Sequence, residues 1–358
     1  MITSRERVLT ALNHEEPDRV PIQVDFTPEA AEKLTQRLAI DNVITQSDKS
    51  KPDFLALTME HDLLVACHGI ETGYYQSEQE EYTDEWGIRW KWVDIPGGRY
   101  TEMIEHPLDD MDSFSTFKLP DPSASWRYVT VQELVQRHGS THAIAGSMTC
   151  TLLEAAWYLR GFENFLMDLV MNKDFVHALL DKLYEFQVIM GKRLAETGVD
   201  ILWIGDDFGT QESLLVSRET WREFFQPRFA RFISEVKAVK PDLKIAFHSD
   251  GNIESLLPDM IEIGVDIFNA VQPLAIDPAH LKRRFGSNLS YWGTVDIQEV
   301  LPFGTAEDVR NEVKQRIQTV APGGGFILAP SHSIQPDVPL ENMLAFYNAA
   351  REFGNYPV

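Results

Sequence analysis

Lys244-Ile245-Ala246-Phe247-His248-Ser249-Asp250-Gly251-Asn252 holds the decisive pattern of this chain. Three apolar residues in a row, bounded by polar ones, read as a buried strand. The strand runs straight into an ionisable pair, His248 and Asp250. Gly251 then permits a sharp turn, and Asn252 can cap a helix predicted over 253–263. One strand, one polar loop and one helix form the repeating unit of a parallel α/β fold.

Outward from this stretch the same rhythm recurs. Strands are predicted at 142–147, 201–205, 265–269, 289–293 and 325–329. Helices are predicted within 161–196 and over 218–239, 306–319 and 341–353. Upstream, Thr3 and Glu6 have capping-box spacing ahead of Val8, Leu9 and Leu12, so a helix opens the chain and Pro17 stops it. A first strand is expected at 20–26, a helix at 28–37, and a short strand within 63–67. Eight strands alternating with helices predict a (β/α)8 TIM barrel, in one domain over residues 1–358. A doubly wound open sheet would require a strand–GxGxxG–helix fingerprint. Gly323-Gly324-Gly325 precedes a strand and so reads as a turn. Between Tyr74 and Ile104 the chain is rich in aromatics and β-formers around Pro96-Gly97-Gly98. An antiparallel hairpin inserted at about 72–105 is expected there. Trp86, Trp90 and Trp92 alternate along it, either packing on the barrel or walling a pocket.

Composition narrows the partners. The net charge of −23, from 55 acidic and 32 basic residues, repels nucleic-acid backbones and anionic membranes. Two cysteines, Cys67 and Cys150, exclude a disulfide framework and a four-thiolate zinc site. Both sit among small or apolar neighbours, as structural thiols do. The start of the chain is charged, with no apolar stretch typical of a secretory signal. No apolar run approaches the roughly 20 residues of a membrane span. A cytoplasmic location is the expectation.

In a (β/α)8 barrel the chemistry gathers where the strands end. Polar residues follow nearly every predicted strand: Asp25, His68, Ser147, Asp206 and Asp207, His248 and Asp250, Asn269 and Gln272, Thr294 and Asp296, Ser331 and His332. Residues two apart in an extended segment face the same way, so His248 and Asp250 can both point into the mouth. His332, after the last strand, can reach the same space. Two imidazoles and a carboxylate suit Zn²⁺ or Fe²⁺ with an open position; the plainer reading is a hydrogen-bonded acid–base pair without metal. Of the adjacent Asp206 and Asp207, one can cap the loop while the other faces the pocket, where other carboxylates would raise its pKa. Asp206, Asp207 and His332 are therefore the candidates for proton transfer. Asp25, His68, Gln272 and Asp296 are the candidates for substrate contact, although Gln272 and Asp296 can instead satisfy loop amides. Glu154 and Arg160 read as a structural ion pair on a helix.

The opening Glu6-Arg7-Val8-Leu9-Thr10-Ala11-Leu12, with Pro17-Asp18-Arg19-Val20-Pro21, resembles the start of uroporphyrinogen decarboxylase-like proteins. So do Asp84-Glu85-Trp86-Gly87, Leu159-Arg160-Gly161-Phe162-Glu163, His248-Ser249-Asp250-Gly251-Asn252 and the ending from Gly323 to His332. The resemblance spans essentially the whole chain. It implies one of two activities. Decarboxylases of this superfamily work without a cofactor and clamp porphyrin carboxylates with an arginine-rich segment after the first strand. Here that segment, Gln23-Val24-Asp25-Phe26-Thr27-Pro28-Glu29, has no arginine, and only Ser331-His332-Ser333 matches the decarboxylase's late Gly-His-Gly. Methyltransferases of the superfamily work with a corrinoid protein and hold zinc through H-x-C and a later Cys. Here those positions read His248-x-Asp250 and, nearby, His332. Two neutral imidazoles and one carboxylate would leave a divalent ion net positive, which polarises an ether oxygen or an amine well but weakens a bound thiolate. The expectation is a methyltransferase that passes a methyl group from a small O- or N-methylated substrate to a cobalamin on a partner corrinoid protein. The alternative is a carboxy-lyase acting on a carboxylic acid.

Overall fold

In the computed structural model, residues 2–40, 53–70, 79–95 and 98–358 are described. Their ten strands are β1 (Leu63–Cys67), β2 (Glu81–Thr83), β3 (Arg89–Ile95), β4 (Gly98–Glu105), β5 (Ala143–Thr149), β6 (Ile201–Gly205), β7 (Lys244–His248), β8 (Ile267–Asn269), β9 (Ser290–Val295) and β10 (Phe326–Pro330). Seven of them pair in the order β1-β5-β6-β7-β8-β9-β10, every ladder parallel. Helices connect them, as parallel crossovers require. The protein is thus an α/β fold on one curled sheet. Curling brings Leu63, on one edge strand, into the same interior cluster as Ile327 and Ala329 on the other, with Ala143, Ala145, Ile201, Ala246, Ile267 and Trp292 between them. The larger core lies outside the sheet, between strands and helices.

The expected closed barrel of eight strands is not reached by strand pairing. Residues 20–26, expected as a strand, fill the gap between β10 and β1 through isolated contacts. Ile22 bridges Leu328 and Phe26 bridges Ile334, and Asp62 N–H donates to Ile22 O at 2.8 Å. The ladder breaks for two local reasons. Pro21 has no N–H to give, and the Ile22 N–H goes to the Asp62 carboxylate at 3.0 Å rather than to a strand carbonyl. Asp62 is fully buried. It also takes Arg7 at 2.6 Å and Arg19 at 2.7 Å, which ties the opening helix, the gap segment and β1 into one seam.

The opening helix, Ser4–Leu12, carries the predicted capping box of Thr3 and Glu6. Its Val8 and Leu12 join the interior cluster, so this helix plugs the end of the sheet opposite the mouth. The inserted segment is more than a hairpin: β2, β3 and β4 form a separate three-stranded antiparallel sheet. The first residues of the expected insertion, through Ser77 and Glu78, and the Pro96-Gly97 part of its turn lie outside the described residues. The predicted helix at 218–239 is present but interrupted, Trp221–Phe225 making a π turn ahead of Gln226–Val239. Among the described residues, no helix is long and apolar enough to cross a membrane.

Candidate active site

Along several strands, inward positions change from apolar to polar towards the C-terminal end. On β7 Ala246 is followed two residues on by His248, on β8 Ile267 by Asn269, and on β10 Ile327 and Ala329 by Ser331. Period-two alternation thereby delivers a polar ring to one end of the curled sheet. A cavity of about 440 Å³ opens there, lined by Gln23, Asp25, Glu154, Trp203, Asp207, His248 and His332, among others.

His248, Asp250 and His332 converge: one ligand atom from each lies within 4.8 Å of the others. The two imidazole rings are 6.0 Å apart. An ion with bonds of roughly 2.0–2.2 Å would hold such atoms roughly 3.4 Å apart, so rotamer adjustments of about 1 Å complete the set. Asp250 Oδ1 is buried without a hydrogen-bond partner, a costly state that a cation would relieve. The orientation of His248 is fixed from behind. Asn269 Nδ2 donates to Trp292 O at 3.1 Å, so Asn269 Oδ1 must be the atom 2.7 Å from His248 Nδ1. Nδ1 therefore carries the proton, and the Nε2 lone pair faces Asp207 and Asp250, each 3.8 Å away. This is the support that metal-binding histidines use. Desolvation at the mouth lowers the His332 pKa and raises that of Asp250. The first keeps the imidazole neutral and able to ligate; the second leaves a carboxylate that gains from a cation. The residues present fit a divalent metal.

The turn carrying Asp250 is held by neighbours. Asp250 N–H donates to Asp207 Oδ1 at 2.8 Å, and Gly251 N–H to Gln272 Oε1 at 2.8 Å. Gly251 has φ of +74°, a conformation that favours glycine. It packs against Gly209, where a Cβ would meet Asp250 O at 2.6 Å.

The two adjacent aspartates divide. Asp207 lines the cavity. Asp206 is fully buried, and its oxygens accept the N–H groups of Leu152, at 2.9 and 3.1 Å, and Glu154, at 3.0 Å. Burial still raises its pKa to about 7. Asp206, expected as a candidate for proton transfer, holds the start of the helix Leu153–Arg160 and is not among the residues lining the cavity. Asp296, expected to contact substrate, likewise lies off the cavity wall. It is buried, and it accepts N–H groups from Gln298, Glu299 and Val300 at 2.9–3.0 Å. Gln272 sits behind the Asp250 turn rather than against substrate space. Asp25 does line the cavity; burial raises its pKa to about 6 against the opposing hydrogen bond from Gln23 Nε2 at 2.8 Å. His68 lines a second cavity, described below.

Glu154 is the site residue that sequence reasoning missed. Arg160, its expected partner, is taken by Asp168 at 2.7 Å and by the carbonyls of Leu108 and Asp109. Glu154 instead faces the cavity, and burial, then the charges of Asp206 and Asp207, raise its pKa to about 9. Its place in the first turn after β5 was the available signal.

Two further buried atoms on the cavity wall, Trp203 Nε1 and Ser331 Oγ, have no partner. Unsatisfied polar atoms grouped around a cavity mark a place where a ligand completes the bonding.

Comparison with known proteins places this geometry in a family. Residues 92–353 match the family described as uroporphyrinogen decarboxylase (URO-D). The chain belongs to the uroporphyrinogen decarboxylase family. A methylated-thiol–coenzyme M methyltransferase of Methanosarcina mazei is 28% identical over 92% of this chain and 86% of its own length. A uroporphyrinogen decarboxylase of Nostoc punctiforme is 24% identical over 73% of this chain and 72% of its own. A solved methyltransferase from Methanosarcina mazei superposes with a TM-score of 0.68 at 21% identity, covering 99% of both chains, which shows that the fold is shared. Members named for methyl transfer and for decarboxylation thus both resemble this chain, and the site has to decide between them.

Proposed function

We propose that this protein, acting as a single (β/α)8-like domain, is a corrinoid-linked methyltransferase that takes a methyl group from a small O- or N-methylated substrate. The observation that carries the reading is the convergence of His248, Asp250 and His332 beside the unpartnered Asp250 Oδ1. A divalent metal such as zinc held by these three would supply a Lewis acid that polarises the methylated oxygen or nitrogen. A corrinoid on a partner protein would supply the methyl acceptor.

The chain's own residues do the rest. Asn269 holds the tautomer of His248, and Asp207 and Gln272 hold the turn of Asp250. Glu154, protonated at neutral pH, can give its proton to the oxygen or nitrogen that loses the methyl group, and so neutralise the charge it gains. Trp203 Nε1 is a donor with nothing yet to bind.

The alternative, a carboxy-lyase, is disfavoured by the lining. Among the described residues that line this cavity there is no lysine or arginine, while Asp25, Glu154 and Asp207 all face it. A polycarboxylate substrate would meet acids where it needs guanidinium groups. The test incubates zinc-loaded protein with a reduced corrinoid and a panel of O- and N-methyl donors, read by the absorbance of the methylated corrinoid. A parallel incubation holds uroporphyrinogen. Methylated corrinoid with no carbon dioxide is expected; carbon dioxide at enzymatic rates with no methyl transfer from any donor overturns the reading.

A further inference from the structure

A second cavity, of about 290 Å³, lies between the antiparallel sheet and the helices that follow β5. Trp86, Ile88 and Trp90 wall it from the sheet side. Tyr158 and Phe186 wall it from the helices, and His68 and Cys67 from the end of β1. Cys150 and Tyr158 line both this cavity and the one beside the metal ligands, so the two adjoin.

We propose that this aromatic cavity is the ring-binding subsite of the methyl donor, and that the donor is an uncharged monocyclic aryl methyl ether. The proposal rests on the methyltransferase reading and narrows it. Size is the first argument. An apolar cavity of ~150 Å³ accepts benzene, and this one is about 290 Å³, room for a ring with small substituents. Rigidity is the second. Asp84 accepts N–H groups from Trp86, Ile88 and the Trp90 indole, each at 2.9 Å. The rings brace one another edge to face, Trp86 on Phe186 at 4.8 Å and Trp90 on Tyr158 at 6.2 Å between centroids. A flat apolar ligand therefore meets a preformed wall and orders little on binding.

Charge is the third. No lysine or arginine lines the cavity among the described residues, and the nearby Arg127 is bound to Glu85 at 2.5 Å. An aryl carboxylate would stay unneutralised. A methylammonium donor would need an available carboxylate, and Asp84, the one acid on this wall among the described residues, already accepts three N–H groups. A ring hydroxyl does have a partner. His68 Nδ1 lies 3.3 Å from Ser147 O and must donate to it, which leaves Nε2 as an acceptor. A donor ring seated here puts its ether oxygen at the junction, towards Glu154 and the metal ligands.

The test measures binding apart from turnover. Calorimetry on metal-free and zinc-loaded protein compares 2-methoxyphenol, its demethylated product catechol, 4-methoxybenzoate and tetramethylammonium. The two phenols are expected to bind at least tenfold more tightly than the carboxylate or the cation. Ala155 lines the cavity, and A155L should weaken the phenols at least tenfold with zinc affinity unchanged. In the unaltered protein, saturating 2-methoxyphenol should slow alkylation of Cys67 at least fivefold, which needs no variant to fold. Tetramethylammonium or methoxybenzoate binding as tightly as 2-methoxyphenol, or Cys67 left unprotected, overturns the proposal. If phenols bind as expected but no donor methylates the corrinoid, the methyltransferase reading falls, and with it the assignment of a methyl donor, while the cavity stands as a binding site for phenols. If only non-aromatic donors serve and phenols do not bind, the reverse holds.

Discussion

Asn269 Oδ1, 2.7 Å from His248 Nδ1, acts through the imidazole. Asn269→Leu should leave the fold in place, at a cost of about 1–3 kcal/mol, and weaken zinc about 10–100-fold. Competition with a chromophoric chelator measures the second, and a urea titration the first. Glu154 makes a pH-dependent prediction. With its pKa near 9, the acid form persists through neutrality and is lost above that value, so kcat/KM should fall on the alkaline side with a midpoint near 9. Glu154→Gln should abolish that limb and cost about 10²–10⁴ in rate. The sign for stability follows. A carboxyl whose folded pKa is raised above its unfolded value of about 4.3 favours folding fully below that value, and the contribution fades as pH rises through about 9. The urea midpoint of the unaltered protein should therefore drop between neutral and alkaline pH more than that of E154Q. Sequence showed His248, Asp250 and His332 because each ends or follows an apolar strand. It hid Glu154, because nothing in the chain order reveals that Asp168 already holds Arg160.

Asp206 joins two elements, reaching from the end of β6 to the first amides of the helix Leu153–Arg160. Asp206→Ala strands those amides and should cost about 1–3 kcal/mol. Asp207→Asn keeps an oxygen for the Asp250 N–H and should change stability by less than about 0.5 kcal/mol, yet lower turnover. Paired urea titrations and rate measurements separate the two; full activity in D207N with lost stability would reverse the roles. The strands of the sheet were legible because apolar runs bounded by turn residues leave little ambiguity. The segment 20–26 has the same pattern and still is not a regular strand. Its departure depends on Asp62, forty residues downstream of Ile22, and local periodicity carries no trace of that contact. In the same way the alternating tryptophans indicated antiparallel structure, but only packing separates Trp86 and Trp90, which line a cavity, from Trp92, which stacks on Arg99 at 4.9 Å.

For the whole molecule the seam at Asp62 matters most. Removing its carboxylate leaves Arg7 without one of its two acidic partners and Arg19 without its acid, and frees the Ile22 N–H. Asp62→Ala should destabilise by about 3–5 kcal/mol, read as a lower urea midpoint for the whole domain. The net charge of −23 was fully legible and bears on partners rather than on the fold. The seam has one more consequence, and it concerns time. Leu328, which Ile22 bridges, follows it by 306 residues in the chain, and Ile334 lies further on still. At about 5–20 residues per second, the early segment waits roughly a quarter of a minute to a minute for its partners. During that interval its apolar side chains, Val20, Ile22 and Val24, have no β10 to cover them.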